Sequence, residues 1–460
     1  MRSTSRALAA VVLAGLLARL ILLWLPGAGL RQKAVEAVPD AAEYLALAEN
    51  LTHHRSFTRD TVPPFRPELF RTPGYPLSVS PLAAVFSSPV LPALLLQLLI
   101  SLLTIWLVFV LAAELGLGPP LAVTAALLVA VSPNLAFLST KLVTEPLFTL
   151  VLVVTLLLLN RYRTTSRTTD LVGAGVAAGL LILIRPIATY LPLVVAAYVL
   201  VTELRRSRSR WWLALLPLAC ASIVVLPWMV RNGRSTGRYI ISTASEHNLY
   251  LYNAAAVVAA DKGTTLEAAR DSMYASAKQE YGPLDSLDEA SFWQSLGRVG
   301  AEELGRRPLL ALKTSLVGLA GNVLLPLSLR PLLVHTGAGT NASFDSGSHV
   351  AQEAVKLATR GRIGEAVGLV CRERLARLPL AAAIVLIAAA LFHALLLLGA
   401  FIGLFLRDGR RLLWLLLPVA YFLCLTGPMG DARFRAPVEP LIALFAAVGL
   451  GRLFHRRAAE

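Results

Sequence analysis

Charge is scarce in this chain: Asp, Glu, Lys and Arg make up 15% of its 460 residues, against about 25% in an average soluble domain. With 56% hydrophobic residues and a mean hydropathy of +0.66, that scarcity excludes an ordinary soluble enzyme and a disordered chain alike. Cysteine is scarcer still. Cys220, Cys371 and Cys424 stand far apart in mostly apolar surroundings, which supports neither a disulfide framework nor a thiolate metal site. Nucleotide-binding and metalloprotease signatures are missing as well. There is no Walker A run, no HExxH and no strand-led GxGxxG, and the glycines of Gly173-Ala-Gly175-Val-Ala-Ala-Gly179 fall inside an apolar run, where small residues serve helix packing. With no soluble domain to hold a nucleotide, any activated donor that the protein used would have to arrive through the membrane or from its outer side. Acidic residues are the rarer sign, 28 against 43 Lys and Arg, for a net charge of +15. The arginines sit in short runs between apolar segments, not on a basic face interleaved with aromatics, so they indicate topology and no nucleic-acid partner.

What the chain has in abundance is apolar segments of spanning length, ~20 residues across ~30 Å of hydrocarbon. The first, 7–26, follows Arg2 and Arg6 without a small-residue cleavage site after it, and reads as an uncleaved span. Others lie at 89–113, 119–138, 142–160, 170–185, 187–203, 211–230, 379–406, 412–427 and 437–454, giving ten spans in a single all-α, polytopic membrane domain over 1–460. Arginines flank 170–204 on both sides, Arg161, Arg163 and Arg167 before it and Arg205, Arg206, Arg208 and Arg210 after it, so that stretch is a hairpin of two short helices turning at Arg185-Pro186. The same rule puts Arg407, Arg410, Arg411, Arg452, Arg456 and Arg457 inside. The extra apolar segment 308–329 would upset this parity by crossing alone, and reads as re-entrant or interfacial. The outer face then receives the loop 27–76, the turns near 134–145, 185–186 and 428–436, and most of 231–378. Asp261 to Glu303, which holds nine of the 28 carboxylates, reads as a solvated, partly helical face. The expected location is a cell membrane, bacterial inner or plasma.

Chemistry is expected in the first outer loop. Tyr44, Leu47, Ala48 and Leu51 recur at helical spacing in an amphipathic helix lying along the membrane, with Asp40 at its start. Asp40 and Glu43 are then either an acidic capping box or, for Asp40, a general base for an attacking hydroxyl. Downstream, Phe65-Arg66 and Phe70-Arg71-Thr-Pro-Gly-Tyr75-Pro place two arginines close to the bilayer. A guanidinium there can meet a phosphate through its planar fork of donors, or simply snorkel to lipid head groups. Lys141 and Glu145 mark a helix start at a span boundary and are either an i,i+4 pair or a functional pair. Arg185-Pro186 and Arg231-Asn232 end spans, and Arg19 lies within one.

The order and placement of these pieces resemble the GT-C superfamily of membrane glycosyltransferases, in the branch of protein O-mannosyltransferases and bacterial aminoarabinose transferases. The residues that carry the resemblance are Asp40-Ala-Ala-Glu43-Tyr44, Arg71-Thr-Pro-Gly-Tyr75-Pro, Glu145-Pro-Leu-Phe, Arg185-Pro186, Pro227-Trp-Met-Val-Arg231-Asn232 and Arg433-Phe-Arg435-Ala-Pro437. It implies a GT-C-like helix bundle with amphipathic juxtamembrane helices in the first outer loop. It also implies an inverting transfer of a monosaccharide from a polyprenyl-phosphate donor to an acceptor hydroxyl on the extracytoplasmic face. Asp40 would be the catalytic base, Glu43 a second carboxylate, and Arg71, Lys141 and Arg231 the lipid-phosphate ligands. Tyr44, Arg66, Tyr75, Glu145 and Arg185 are further candidates. Some members bind a divalent metal near the loop carboxylates, here Asp40 and Glu43 with His53 and His54 nearby. Protein mannosyltransferases place Asp and Glu side by side, whereas these are three apart, and the luminal domain of eukaryotic members is missing. The acceptor therefore stays open between glycan, lipid and protein, and the sugar stays open too. Two other classes compete: a transporter or lipid flippase with Arg19, Glu145 and Arg185 along its path, and a polymerase or ligase acting on undecaprenyl-linked glycans.

Overall fold

A computed structural model of the chain describes residues 2–24, 34–36, 38, 40–206, 208–282, 289–328 and 380–455, with isolated positions between 329 and 379. Among the described residues every regular element is helical. Among the described residues, seven helices are long and apolar enough to cross a membrane, namely Ser3–Trp24, Val90–Glu114, Glu145–Thr165, Pro186–Arg206, Ser209–Thr236, Ala382–Phe405 and Ala432–Arg452. Shorter apolar helices occupy Pro119–Val131, Thr168–Ile184, Pro308–Leu324 and Leu413–Cys424. Each of the ten expected spans is helical over most of its described residues, but those at 119–138, 170–185 and 412–427 are cut short for local reasons. Ser132 caps a new turn, Pro133–Leu138, by accepting from the Leu135 amide. Pro186 cannot donate back into the helix before it, and Gly427 turns out of the last one at φ +60°.

We number the helices α1 (Arg2–Trp24), α2 (Asp40–His53), α3 (Gly74–Val85), α4 (Val90–Glu114), α5 (Pro119–Val131), α6 (Pro133–Leu138), α7 (Glu145–Thr165), α8 (Thr168–Ile184), α9 (Leu191–Arg206) and α10 (Leu215–Thr236). They continue as α11 (Ala244–Asn248), α12 (Ala255–Lys262), α13 (Leu266–Tyr281), α14 (Glu289–Arg306), α15 (Pro308–Leu324), α16 (Leu380–Phe405), α17 (Leu416–Cys424), α18 (Ala432–Arg435) and α19 (Glu439–His455). The main core lies between α4, α5, α7, α8 and α19, around Ile105, Val108, Phe148, Leu152 and Leu444, while Leu99, Trp106 and Ile223 are exposed on outer faces. Apolar residues on the outer faces as well as in the core suit a lipid solvent. α8 lies tightly on α10: a Cβ on Gly175 would meet the Pro217 Cα at 2.8 Å, and one on Gly179 the Ala221 Cα at 3.0 Å. The glycine run is a packing seam, as expected.

The arginine runs converge at one end of the bundle. Arg161 pairs with Glu114 at 2.7 Å, Arg206 reaches the Ser166 hydroxyl at 3.0 Å, and Arg411 donates to the Gly116 carbonyl at 3.3 Å. The starts of α7 and α18, Arg185 and the first turn of α2 meet at the other end, one length of α7 (about 30 Å) away. Beyond them α13 and α14 pack around Tyr250, Phe292, Trp293 and Leu296, and α12 packs on α13 through Ala255, Ala259 and Ala269. The carboxylates described between 261 and 303 are all exposed or half-buried there, a solvated face; Asp285 and Asp288 lie outside the described residues.

Candidate active site

Local packing decides where the first-loop carboxylates point. α2 buries Tyr44, Leu47 and Ala48, with Tyr44 and Ala48 packed against Tyr75 and Val79 of α3. The loop between the two helices is tied down at several points. Asn50 donates to the Thr58 and Asp60 carbonyls at 2.7 and 3.0 Å. Glu68 accepts from the Phe70 and Arg71 amides at 2.7 and 2.9 Å, which aims the Arg71 side chain. Gly74 then lets the chain touch α8: a Cβ there would stand 2.7 Å from the Leu183 carbonyl oxygen. The Arg71-Thr-Pro-Gly-Tyr-Pro run thereby lands beside Arg185.

The result is a chain of charges that alternates in sign. Arg71 bonds the Glu43 carboxylate at 2.6 Å through Nε and Asp40 Oδ1 at 2.7 Å through Nη2. Arg433 takes Asp40 Oδ2 at 2.7 Å and reaches Glu145 through Nε. Arg185 closes the chain on Glu145 at 2.7 Å. Arg59 adds a second cation on Glu43 at 3.0 Å. Asp40 is one-fifth exposed, whereas Glu145 is 1% exposed. Burial opposes ionisation of Asp40, but the charges and hydrogen bonds of Arg433 and Arg71 outweigh it and hold its carboxyl well below the usual carboxylate range. Both first-turn carboxylates are therefore turned to arginines rather than to the helix's own amides.

The other candidates divide. Tyr44 lies under the Arg71 guanidinium (5.2 Å) and edge-on to Tyr75, whose hydroxyl donates to Gln97 at 2.6 Å. Gln97 in turn donates to the Lys141 carbonyl. Lys141 lies in the turn before α7 rather than on it, with its ammonium over the Phe137 ring, and burial pushes that ammonium down to about 7. Arg231 is a brace, donating to the Glu68 and Phe57 carbonyls at 2.8 and 2.9 Å. Arg66 pairs with Asp60 at 3.1 Å on the outside of the loop. Arg19 is fully buried between α4 and α5, bonded to Ser101 and to the Ala130 carbonyl. A metal at Asp40 and Glu43 does not fit this donor set, since their oxygens face guanidiniums, and no cluster of three His, Cys, Asp or Glu suited to a metal occurs among the described residues. His53 and His54 stand at the far end of α2. Arg433 is the residue that sequence reasoning missed as a site member, although it lies in one of the motifs. His247, also missed, lies between the rings of Phe70 (4.8 Å, edge-on) and Trp293 (4.6 Å, tilted), and burial lowers it to about 4, so it stands neutral beside the site.

Residues 71–230 match the family model described as dolichyl-phosphate-mannose-protein mannosyltransferase. The middle of the chain resembles that family. The matched stretch carries Arg71, Tyr75, Lys141, Glu145 and Arg185, while Asp40, Glu43, Arg231 and Arg433 lie outside it. Among solved structures, the archaeal oligosaccharyltransferase AglB from Archaeoglobus fulgidus, in complex with an inhibitory peptide and a dolichol-phosphate, is 15% identical. That alignment covers 98% of this chain and 50% of AglB, with a TM-score of 0.47. ArnT from Cupriavidus metallidurans, bound to undecaprenyl phosphate, is 14% identical over 96% of this chain and 77% of ArnT, with a TM-score of 0.43. The chain thus spans about half the length of AglB. No match is found among curated proteins.

Proposed function

We propose that this protein is a membrane glycosyltransferase that moves a monosaccharide from a polyprenyl-phosphate carrier to an acceptor hydroxyl, at the end of the bundle away from the arginine runs. The observation that carries the reading is the Asp40 carboxylate, ionised and partly exposed between Arg71 and Arg433. A carboxylate has about four lone-pair positions, and these two bonds leave room for an acceptor hydroxyl. Asp40 is a weak base, and a weak base suffices when the sugar carbon carries oxocarbenium character. The hydroxyl oxygen becomes strongly acidic as its bond to that carbon forms. The carbon–phosphate oxygen bond breaks with its electron pair passing to the phosphate, and the hydroxyl proton passes to Asp40. Arg71 then stabilises the charge that develops on the leaving phosphate, a preorganised electrostatic contribution of the kind that is usually large. The match to a family named for a polyprenyl-type phosphate sugar supports the donor class. A transport path is disfavoured because the linked charges gather at one end of α7 and α18 rather than at mid-depth.

The test is transfer by purified wild-type and Asp40→Asn protein, offered a panel of polyprenyl-phosphate monosaccharides with release of the free lipid phosphate followed. Loss of a general base costs about 10²- to 10⁴-fold, so the variant should be folded and nearly silent. Equal release by both proteins would remove Asp40 from the mechanism.

A further inference from the structure

Arg433 holds the centre of the charge chain, and it comes from the opposite end of the sequence. Its backbone amide donates to the Asp431 carboxylate at 2.7 Å, and the Asp431 amide donates to Asn322 of α15 at 2.9 Å. The Ser328 hydroxyl donates to the same carboxylate. These ties fix the guanidinium between two carboxylates of unequal burial: Asp40, one-fifth exposed, and Glu145, almost fully buried. Breaking a buried ion pair strands a charge away from water and is costly, whereas a partly exposed pair exchanges partners cheaply. Two of the five N–H donors of the guanidinium are used in these bonds. An incoming anion would therefore compete for Arg433 at the Asp40 side and leave the Glu145 anchor in place.

We propose, on the transferase reading above, that Arg433 is a positioning residue that couples the lipid phosphate to Asp40. In the resting site it holds Asp40 Oδ2. When the donor phosphate arrives, its guanidinium turns to the phosphate while still anchored on Glu145, and Oδ2 is left free to take the acceptor proton. Asp40 is thus a protected ion pair without donor and a competent base with it. The charged and titratable groups around Asp40 are Glu43 and Tyr44 on its own helix, Arg71 from the loop and Arg433 from α18, with Glu145 and Arg185 linked behind Arg433.

The experiment reads Asp40 directly and needs no turnover. The carboxyl of Asp40 is titrated by isotope-edited infrared spectroscopy in the purified full-length protein, its band assigned by its loss in Asp40→Asn, with and without undecaprenyl phosphate. Removing an opposite charge at this range moves a carboxyl by about 1 to 3 pH units. In wild type the midpoint should rise on adding the lipid phosphate, because Asp40 then loses a cationic partner. In Arg433→Gln the resting midpoint should already be raised, and the lipid phosphate should move it by much less, through the charge of the phosphate alone. An unchanged resting midpoint in Arg433→Gln, or an equal response to the lipid in both proteins, would overturn the proposal. Arg433→Lys covers the case in which the glutamine variant does not fold. Its ammonium keeps the charge but cannot fork between Asp40 and Glu145, so the resting midpoint should stay near wild type while the lipid response shrinks; a full response would sink the coupling. Failure here leaves the transferase reading to the Asp40→Asn assay, which tests it separately.

Discussion

At the residue scale, each candidate side chain was legible as a chemical type, but its partner was not. Asp40, Glu43, Arg71, Glu145 and Arg185 were all singled out from sequence, and the structure brings all five into one chain of charges. Arg231 looked equally suited to a phosphate and is instead consumed by two backbone carbonyls. Arg66 turns outward to Asp60. What separates these arginines is the fold around them, which sequence spacing does not reveal. Arg71 is the one whose loss should be read in donor use, since it lies across both first-turn carboxylates with its guanidinium carbon over the Phe70 (4.6 Å) and Tyr44 (5.2 Å) rings. Arg71→Ala should raise the donor Michaelis constant roughly tenfold or more, the equivalent of about 1.4 kcal/mol, with a smaller effect on the acceptor. The same change should move the acid limb of kcat/KM upward. A depressed carboxyl contributes activity above its own titration point, and that point rises when a neighbouring cation is removed. An unchanged donor constant together with an unchanged turnover would refute the role.

At the scale of elements, periodicity and proline punctuation located the helices well. The hairpin read from arginine runs exists, as α8, a short 3-10 turn at Pro186–Ala188, and α9. The break at Ser132-Pro133 was missed because both sides of it are apolar, so hydropathy runs through it while the hydroxyl cap ends one helix and starts another. The glycine run in α8 was legible as packing, and its partner is now known. A Cβ at Gly179 would stand 2.7 Å from the Val224 Cβ and 3.0 Å from both the Ala221 Cα and its carbonyl oxygen. Because these contacts are partly backbone, they cannot swing aside. Gly179→Leu should destabilise the folded protein by about 1–3 kcal/mol, as overpacked cores do, seen as a lower melting temperature in detergent. The seam also ends at Ile184, one residue before Arg185, so the loss should extend to transfer activity. A melting temperature equal to wild type would mean that α8 and α10 can separate without penalty.

At the scale of the whole molecule, the residue hardest to find was Arg433, 393 positions from the carboxylate it holds. Its motif was visible, but nothing local to it says which loop it meets; only closure of the bundle, with α18 seated on α15 and α7, decides that. The sidedness of that closed site is the remaining large-scale expectation, and it follows from charge. Arg161, Arg163 and Arg167 before α8 and Arg205, Arg206 and Arg210 after α9 crowd the end of the bundle that carries Thr168, and such runs are retained in the cytoplasm during insertion. Ser245, exposed at the start of α11, lies at the other end, three residues from Ser242, whose hydroxyl donates to the Phe70 carbonyl beside Arg71. With Cys220, Cys371 and Cys424 replaced, Ser245→Cys should react with a membrane-impermeant maleimide on intact cells, and Thr168→Cys only after the membrane is opened. Reversed labelling would place the charge chain on the cytoplasmic side, and the proposed transfer would then have to take place there.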